Sequence, residues 1–120
     1  MALSVLAQQF ADEIALQDWS DAHSRLDRAG HDRKIDHTSS PQLSSRETDF
    51  IRTNVMWVVA QVLLYNDPNF NIHEFAEAAG ISASIRLTSR GQLSGGMPHG
   101  LRWSMETREV SAPGNPNYPG

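Results

Sequence analysis

Cysteine is absent from this chain of 120 residues. A disulfide framework, a zinc site built on thiolates and a cysteine nucleophile are therefore excluded. Long hydrophobic runs are also absent, because the most apolar stretch is only about eleven residues and a membrane-spanning helix needs about twenty. The first residues, MALSVLAQQFADE, contain no basic segment of the kind that opens a signal peptide. These absences predict a cytoplasmic protein with no membrane segment.

Positive charge is scarce and unevenly placed. Ten basic residues oppose fourteen acidic ones, which gives a net charge of -4 and a pI near 5.6. This acidity argues against strong non-specific binding to nucleic acid. Between residues 78 and 105, however, the charged side chains are all arginines: Arg86, Arg90 and Arg102. A polyanion that binds this chain is therefore expected to bind near these three residues.

The length and composition suit one globular domain. A chain of 120 residues builds one hydrophobic core and is too short for two. Its 39% hydrophobic and 20% charged residues are ordinary values for a globular protein. The last ten residues, SAPGNPNYPG, are rich in proline and glycine. We therefore predict a single domain over residues 1–110 and an irregular tail over residues 111–120.

Residues 46–65, RETDFIRTNVMWVVAQVLLY, are the organising element of the predicted fold. Gln61 is the only polar residue from position 55 to position 65. A helix that is apolar almost all round is typical of the centre of a domain. Ser44 and Glu47 have the spacing of a capping box at its start. We therefore predict a central buried helix here.

The N-terminal segment predicts helices that pack on this central one. Apolar residues recur at helical spacing between about residue 3 and residue 17, and they are Leu3, Leu6, Phe10 and Ile14. Asp18 can cap a second helix that ends at Gly30. The same spacing also fits one bent helix over both segments.

A strong helix-start signal follows the central helix. Asn71 is placed to cap a short helix over residues 72–79. Phe70 and Phe75 have the spacing of the hydrophobic contact that accompanies such caps. Gly80 stands where a helix usually ends.

Two interpretations fit the segments beyond Gly80. SIRLTS and LRWSMETREV alternate apolar and polar residues, which predicts a β-hairpin. Alternatively, Ser82 caps another short helix and only the later segment forms a β-wing. The predicted fold class is α+β, with three or four helices around residues 46–65 followed by a C-terminal β-hairpin or wing.

Residues 72–82, IHEFAEAAGIS, have the pattern of the first helix and turn of a helix-turn-helix. Ala76 is the small residue that crossing helices need, and Gly80 tolerates the positive φ of a tight turn. A recognition helix from residue 82 to residue 90 would then face DNA, with support from the wing. The predicted DNA-binding residues are Ser82, Ser84, Arg86, Arg90 and Arg102. The pattern therefore predicts a small non-enzymatic DNA-binding regulator that uses residues 72–90.

A protein-interaction module, with no nucleic-acid binding, is the alternative prediction. Arg86 occupies a position where a recognition helix usually has an apolar residue. Three tryptophans are many for this length, and the central helix has more apolar surface than its neighbours are expected to cover. An uncovered part would bind another protein as an adaptor or inhibitor does, since aromatic residues and arginine are enriched in interfaces. The predicted interface residues are Leu101, Trp103 and Met105, and a homodimer is compatible with either function.

Motifs for catalysis and metal binding are weak. Four candidate metal ligands lie in the predicted loop over residues 31–44, and they are His31, Asp32, Asp36 and His37. A polar loop of this composition is more often only solvated, and ligands usually stand on rigid elements.

His73 and Glu74 begin a zinc-protease motif, but Glu77 stands where the second histidine is required. Ser94 lacks the spacing of a nucleophile elbow. We therefore predict no enzyme, metal or cofactor.

Overall fold

Helices account for the regular structure of this chain. The computed structural model describes residues 3–30 and 40–116. Within those ranges five helices follow one another: α1 (Val5–Leu16), α2 (Ser45–Asn66), α3 (Ile72–Ala78), α4 (Ala83–Arg86) and α5 (Gly96–His99). α1, α2 and α3 pack against one another, while α4 and α5 are single turns that pack on α3.

The span of the predicted central helix is confirmed, since α2 covers Ser45–Asn66. Its predicted burial is wrong, because only Thr53, Met56, Ala60 and Gln61 of its residues are buried. Its capping box is present: the Glu47 N–H donates to Ser44 Oγ at 3.1 Å, and the Ser44 N–H donates to Glu47 Oε1 at 3.0 Å. Because these bonds favour the charged carboxylate, the backbone N–H and then the hydroxyl of Ser44 hold the pKa of Glu47 below its usual value. The contacts between Ser44 and Glu47, three residues apart, therefore set the residue at which α2 begins.

Small side chains let the three core helices approach closely. Met56 of α2, Phe75 of α3 and Met97 of α5 fill the space that remains, and burial of each contributes roughly 1.5–3 kcal/mol. The Phe75 ring also lies 5.2 Å from Phe70, which confirms the predicted contact at the start of α3. The small residues are five almost completely buried alanines: Ala7, Ala11, Ala60, Ala76 and Ala79.

The face of α1 that enters the core differs from the predicted one. Ala7, Ala11 and Ile14 are buried, whereas Leu6 and Phe10 are exposed. Because α1 contacts both α2 and α3, alanine at the contact allows a closer approach than leucine or phenylalanine. Spacing in the sequence favours the larger apolar residues, since it contains no information on the distance between helices.

The predicted helix between Asp18 and Gly30 does not form, because these residues adopt turns and irregular structure. Asp18 Oδ1 accepts hydrogen bonds from the N–H and the hydroxyl of Ser20, at 3.0 and 2.6 Å. Such local bonds offer the backbone an alternative to a helix. Trp19 folds back on α1, where its indole N–H donates to the Ile14 carbonyl at 3.0 Å.

The predicted α+β class, with a C-terminal β-hairpin or wing, is wrong, because the described residues contain no sheet. Residues 84–86, predicted to begin the first strand, belong to the helical turn α4. Only two isolated bridges pair extended residues in the described ranges: Leu87 with Leu93, and Trp103 with Val110. The domain is therefore small and mostly helical.

The two segments of the predicted hairpin do not pair with each other because each one turns back on residues that follow it. The Ser94 N–H donates to the Arg86 carbonyl and the Ser111 N–H donates to the Arg102 carbonyl, both at 2.9 Å. Leu101 is buried but Trp103 is exposed, so the apolar residues of the later segment do not share one face. Backbone groups of Arg102 and Ser111 bond to the side chain of Gln61 on α2. These bonds tie the later segment to α2.

Candidate functional site

The first helix and the turn of the predicted helix-turn-helix are present, but its second helix is not formed in full. Ala76 is completely buried, and Gly80 has a φ of +83°. Beyond the turn, α4 has only four residues, Ala83–Arg86. The predicted recognition helix over residues 82–90 is therefore a single turn, which presents few side chains to a groove.

Arg86 folds back over the turn between α3 and α4. Its Nε donates to the Ile81 carbonyl at 2.8 Å, and its Nη1 lies 4.0 Å from a carboxylate oxygen of Glu77. Only 18% of the Arg86 side chain is exposed. This contact explains how an arginine occupies a position where the pattern expects a core residue, since its apolar stem is covered and its head satisfies a carbonyl.

Arg102 is also engaged within the chain. Its Nε donates to the Asn115 carbonyl at 2.8 Å, and its Nη2 donates to the Ala112 carbonyl at 3.4 Å. Arg90, in contrast, is exposed on the turn after α4. Two of the three predicted DNA-binding arginines therefore hold the fold together in this structure.

The remaining predicted residues fall in different environments. The Ser82 and Ser84 hydroxyls lie 3.1 Å apart at the start of α4. Leu101 belongs to the core, while Trp103 and Met105 are exposed. The Trp103 indole N–H donates to the carbonyl of Pro98 at 3.0 Å. Of the predicted partner interface, only Trp103 and Met105 are on the surface.

The inner face of α2 holds residues 97–116, which we call the C-terminal segment, through hydrogen bonds of Gln61. The Gln61 Oε1 accepts the Arg102 N–H at 2.7 Å. Its Nε2 donates to the carbonyls of Arg102 and Ser111, at 3.2 and 2.9 Å. Trp57 adds a bond from its indole N–H to the Met97 carbonyl at 3.0 Å. The sequence signal for the Gln61 contact was its position as the only polar residue in the apolar run from residue 55 to residue 65.

The outer face of α2 is apolar and open to solvent. Val58, Val62 and Tyr65 are 71%, 44% and 49% exposed. Ile51 and Val55, in the same line, are half-buried, and Val55 also packs against the core. Successive members of this line are separated by four and three residues in alternation, which is the spacing of the a and d positions of a heptad. We call this set the α2 seam: Ile51, Val55, Val58, Val62 and Tyr65.

The α2 seam has a neutral centre. No charged side chain occurs on α2 from residue 53 to its last residue, Asn66. The charges lie before this stretch, where Arg52 pairs with Asp49 at 3.0 Å and the Arg46 guanidinium lies 5.2 Å from the centre of the Phe50 ring. The seam therefore matches an apolar partner better than a polyanion.

Sequence reasoning predicted that part of this helix stays uncovered, but not which part. Met56 and Ala60, on the inner face, are as apolar as the seam residues beside them. The four-three spacing was readable in the sequence and was the signal that could have found the seam. It was hidden because almost every position of the stretch is apolar.

An open cavity of about 200 Å³ lies between α1 and the turn that follows it. Its ionisable lining groups are Glu13 and Asp27, and Asp27 pairs with Arg25 Nε at 3.0 Å. The complete lining is Glu13, Ile14, Gln17, Trp19, Asp27 and Ala29.

The candidate metal ligands His31, Asp32, Asp36 and His37 lie outside the described residues. Among the residues that are described, no three histidine, aspartate or glutamate side chains group together as a metal site requires. None of the helices in residues 3–30 and 40–116 combines the length and the apolar character needed to cross a membrane.

Comparisons with protein-family models, with curated proteins and with solved structures find no match to this chain. Its surface is therefore the basis for a functional proposal.

Proposed function

We propose that this chain is a non-catalytic protein-interaction module that binds its partner through the α2 seam. The observation that carries the proposal is the exposure of Val58, Val62 and Tyr65 in one line, on a helix whose opposite face forms the core. Exposed apolar patches of roughly 300–600 Å² on a monomer often mark binding sites. A cytoplasmic location is part of the same proposal.

Covering the seam offers enough free energy for a specific complex. Burial of apolar surface stabilises by about 25 cal/mol per Å². A patch of roughly 400 Å² then contributes on the order of 10 kcal/mol, before the loss of translational and rotational freedom is subtracted. The valines lose little side-chain entropy on binding, because branching at Cβ already restricts χ1.

The shape of the seam selects an apolar, elongated partner. Alternating four-residue and three-residue steps keep one line of side chains on the surface of a helix, and a second helix fits such a line by placing its own side chains between them. Tyr65 ends the line with a ring whose hydroxyl can stay in contact with water. We therefore expect a helix of the partner to lie along α2.

DNA binding is the second candidate, and the turn geometry supports it. Gly80 has the positive φ that the motif needs, and Arg90 is exposed beside α4. Against it, the side chains of Arg86 and Arg102 already donate to carbonyls of the chain itself. DNA binding through Arg86 and Arg102 would have to break these hydrogen bonds, whereas a partner can bind the seam without breaking any. We therefore rank the interaction module first.

Site-specific photo-crosslinking tests the interaction module. A photo-reactive amino acid at Val58 should give a covalent adduct of defined mass in cells that contain the chain. The same group at Glu106, an exposed residue of the C-terminal segment, is the control and should give little adduct. Equal labelling from both positions, or none from Val58, would reject the seam as a binding surface.

Fluorescence anisotropy with a labelled duplex tests the DNA-binding candidate. Binding through phosphate contacts should weaken steeply between about 50 and 200 mM salt. Arg90→Ala is compared with Arg108→Ala, an identical change at another exposed arginine. A salt-sensitive signal that only Arg90→Ala removes would place DNA binding above the interaction module.

A further inference from the structure

We infer that the partner of the α2 seam is a second copy of this chain, paired through antiparallel α2 helices about a two-fold axis. The inference rests on the proposed function and names its partner. Three observations carry it: the four-three spacing, the match of residues 55–65 of the seam to their own reversed image, and the lack of charge along them. An order-of-magnitude area then sets the expected affinity.

The spacing restricts the partner to a helix with a similar line of apolar side chains. Side chains at a and d positions are buried when the facing helix has residues at the same intervals. α2 has them over about 15 Å, from Val55 to Tyr65, at a rise of about 1.5 Å per residue. A two-fold axis then places the same patch on both sides of the contact.

An antiparallel register makes the seam complementary to itself. With the axis at the level of residue 60, Val58 of one copy faces Val62 of the other, and Val55 faces Tyr65, which makes four layers in all. Ile51 would face position 69, beyond the last residue of α2, so it takes no part in the contact. The largest seam side chain thus opposes a smaller, half-buried one at both ends of the contact. Ala60 itself is completely buried in its own core and stays there.

The charge distribution permits two copies to meet. Since residues 53–66 carry no charged side chain, the four layers of the contact bring no like charges together. The nearest charged pair, Asp49 with Arg52, lies toward the start of α2 and is already neutralised within one copy. The net charge of -4 opposes pairing only weakly, because salt at physiological concentration screens charges beyond about 8 Å.

The area predicts a weak, reversible dimer. Roughly 400–500 Å² of seam and flanking surface on each copy gives about 1,000 Å² in total, which is the low end of specific interfaces. We therefore expect a dissociation constant on the order of 1–100 μM. Measurements on the full chain need to span this range.

Sedimentation velocity from about 1 to 300 μM tests self-association of the full chain. Val58→Asp should remain monomeric, with a dissociation constant raised at least about 100-fold, because each interface would bury two uncompensated carboxylates. Val5→Asp is the matched control: it is the same change at a valine of α1 that is 77% exposed, and it should dimerise like the original chain. Val58→Ser, with circular dichroism as the check on folding, replaces Val58→Asp if that variant fails to fold.

The lack of cysteine allows a direct test of orientation. Val55→Cys and Tyr65→Cys chains are mixed and treated with a short thiol cross-linker. Antiparallel pairing should join the two different variants, because identical positions lie about 15 Å apart along the axes. Products that join identical variants would show parallel pairing and overturn the proposed geometry.

The outcomes separate this inference from the proposed function. The inferred dimer is overturned if the chain stays monomeric at every concentration. It is also overturned if the chain dimerises but Val5→Asp disrupts the dimer and Val58→Asp does not. In the monomeric case, a specific adduct of Val58 with a different protein leaves the interaction module standing. An adduct at twice the mass of the chain, lost when Val62→Asp is added to the chain with the photo-reactive group at position 58, supports both.

Discussion

The two faces of α2 are built from similar residues but meet different surroundings. Met56 and Ala60 on the inner face are completely buried under α1, α3 and the C-terminal segment. Val58 and Val62, on the outer face, are exposed although they are equally apolar. An apolar helix is therefore not evidence of burial on all sides. One face forms the core while the other stays open to solvent.

The faces also differ in how they use polar groups. The inner face carries Gln61 and Trp57, and both donate to backbone carbonyls of the C-terminal segment. The seam contains no polar atom except the Tyr65 hydroxyl. Inner contacts are therefore specific to one arrangement of this chain, whereas the outer contacts depend mainly on shape and area.

Truncation of one side chain on each face should give the largest contrast. Met56→Ala removes a completely buried side chain and should destabilise the domain by about 2–5 kcal/mol. Val58→Ala removes an exposed one and should change the stability of the monomer by about 0.5 kcal/mol or less. Chemical denaturation in dilute solution, where the chain is monomeric, measures both. Similar losses in the two variants would mean that the outer face is buried in the monomer.

A methyl group at position 100 should disturb the inner face next most strongly. A Cβ at Gly100 would overlap the indole ring of Trp57, so the ring must move and its bond to Met97 is strained. We expect a loss of about 1–3 kcal/mol in the free energy of unfolding. Gly95→Ala is the control, because nothing lies within 4 Å of its added Cβ. Equal stability of the two variants would contradict the packing of Trp57 against the C-terminal segment.

Loss of the Gln61 amide should loosen the C-terminal segment with a smaller global effect. Gln61→Leu keeps the size of the side chain but leaves the Arg102 N–H and the Ser111 carbonyl without this partner. The expected loss is about 1–3 kcal/mol. Hydrogen exchange at the Arg102 amide should become faster, while amides of α1 keep their protection. Asn54→Leu, at an exposed position of α2, should leave the Arg102 amide unchanged.

The capping box of α2 should give the smallest effect, and one that depends on pH. The pKa of Glu47 is lower in the folded chain because the Ser44 backbone N–H and hydroxyl interact with its carboxylate. Its contribution is therefore present above the pKa of an unfolded glutamate, about 4.3, and is lost as the pH falls through the lower folded pKa. The stability difference between the original chain and Glu47→Gln should shrink on acidification from pH 6 to about pH 3. A difference that stays constant over that range would contradict the assignment.

Three local signals, each with all its parts within a few residues, formed as predicted, although the cap at Asp18 did not begin a helix. The capping box at Ser44 and Glu47, the Phe70–Phe75 contact and the turn at Gly80 all formed as predicted. Each depends on groups that are neighbours along the chain, so tertiary packing has little opportunity to change them.

Signals that depend on distant parts of the chain were less reliable. The rotation of α1 that buries Ala7 and exposes Leu6 depends on how closely α2 and α3 approach. The predicted hairpin would have joined two distant segments, but each segment forms its own local bridge, and Gln61, some forty residues before Arg102, ties the later segment to α2. Arg102, predicted to contact DNA, donates instead to the carbonyls of Ala112 and Asn115, ten and thirteen residues further along the chain.

The sequence by itself determined the limits and the register of α2, and with them the four-three line from Ile51 to Tyr65. Only the tertiary structure decided which side of that helix the rest of the domain covers. The physical reason is that α2 is apolar on nearly every side, so burial free energy barely distinguishes one face from another. The choice was made by close packing of alanines and by the hydrogen bonds of Trp57 and Gln61, which exist only once the chain has folded.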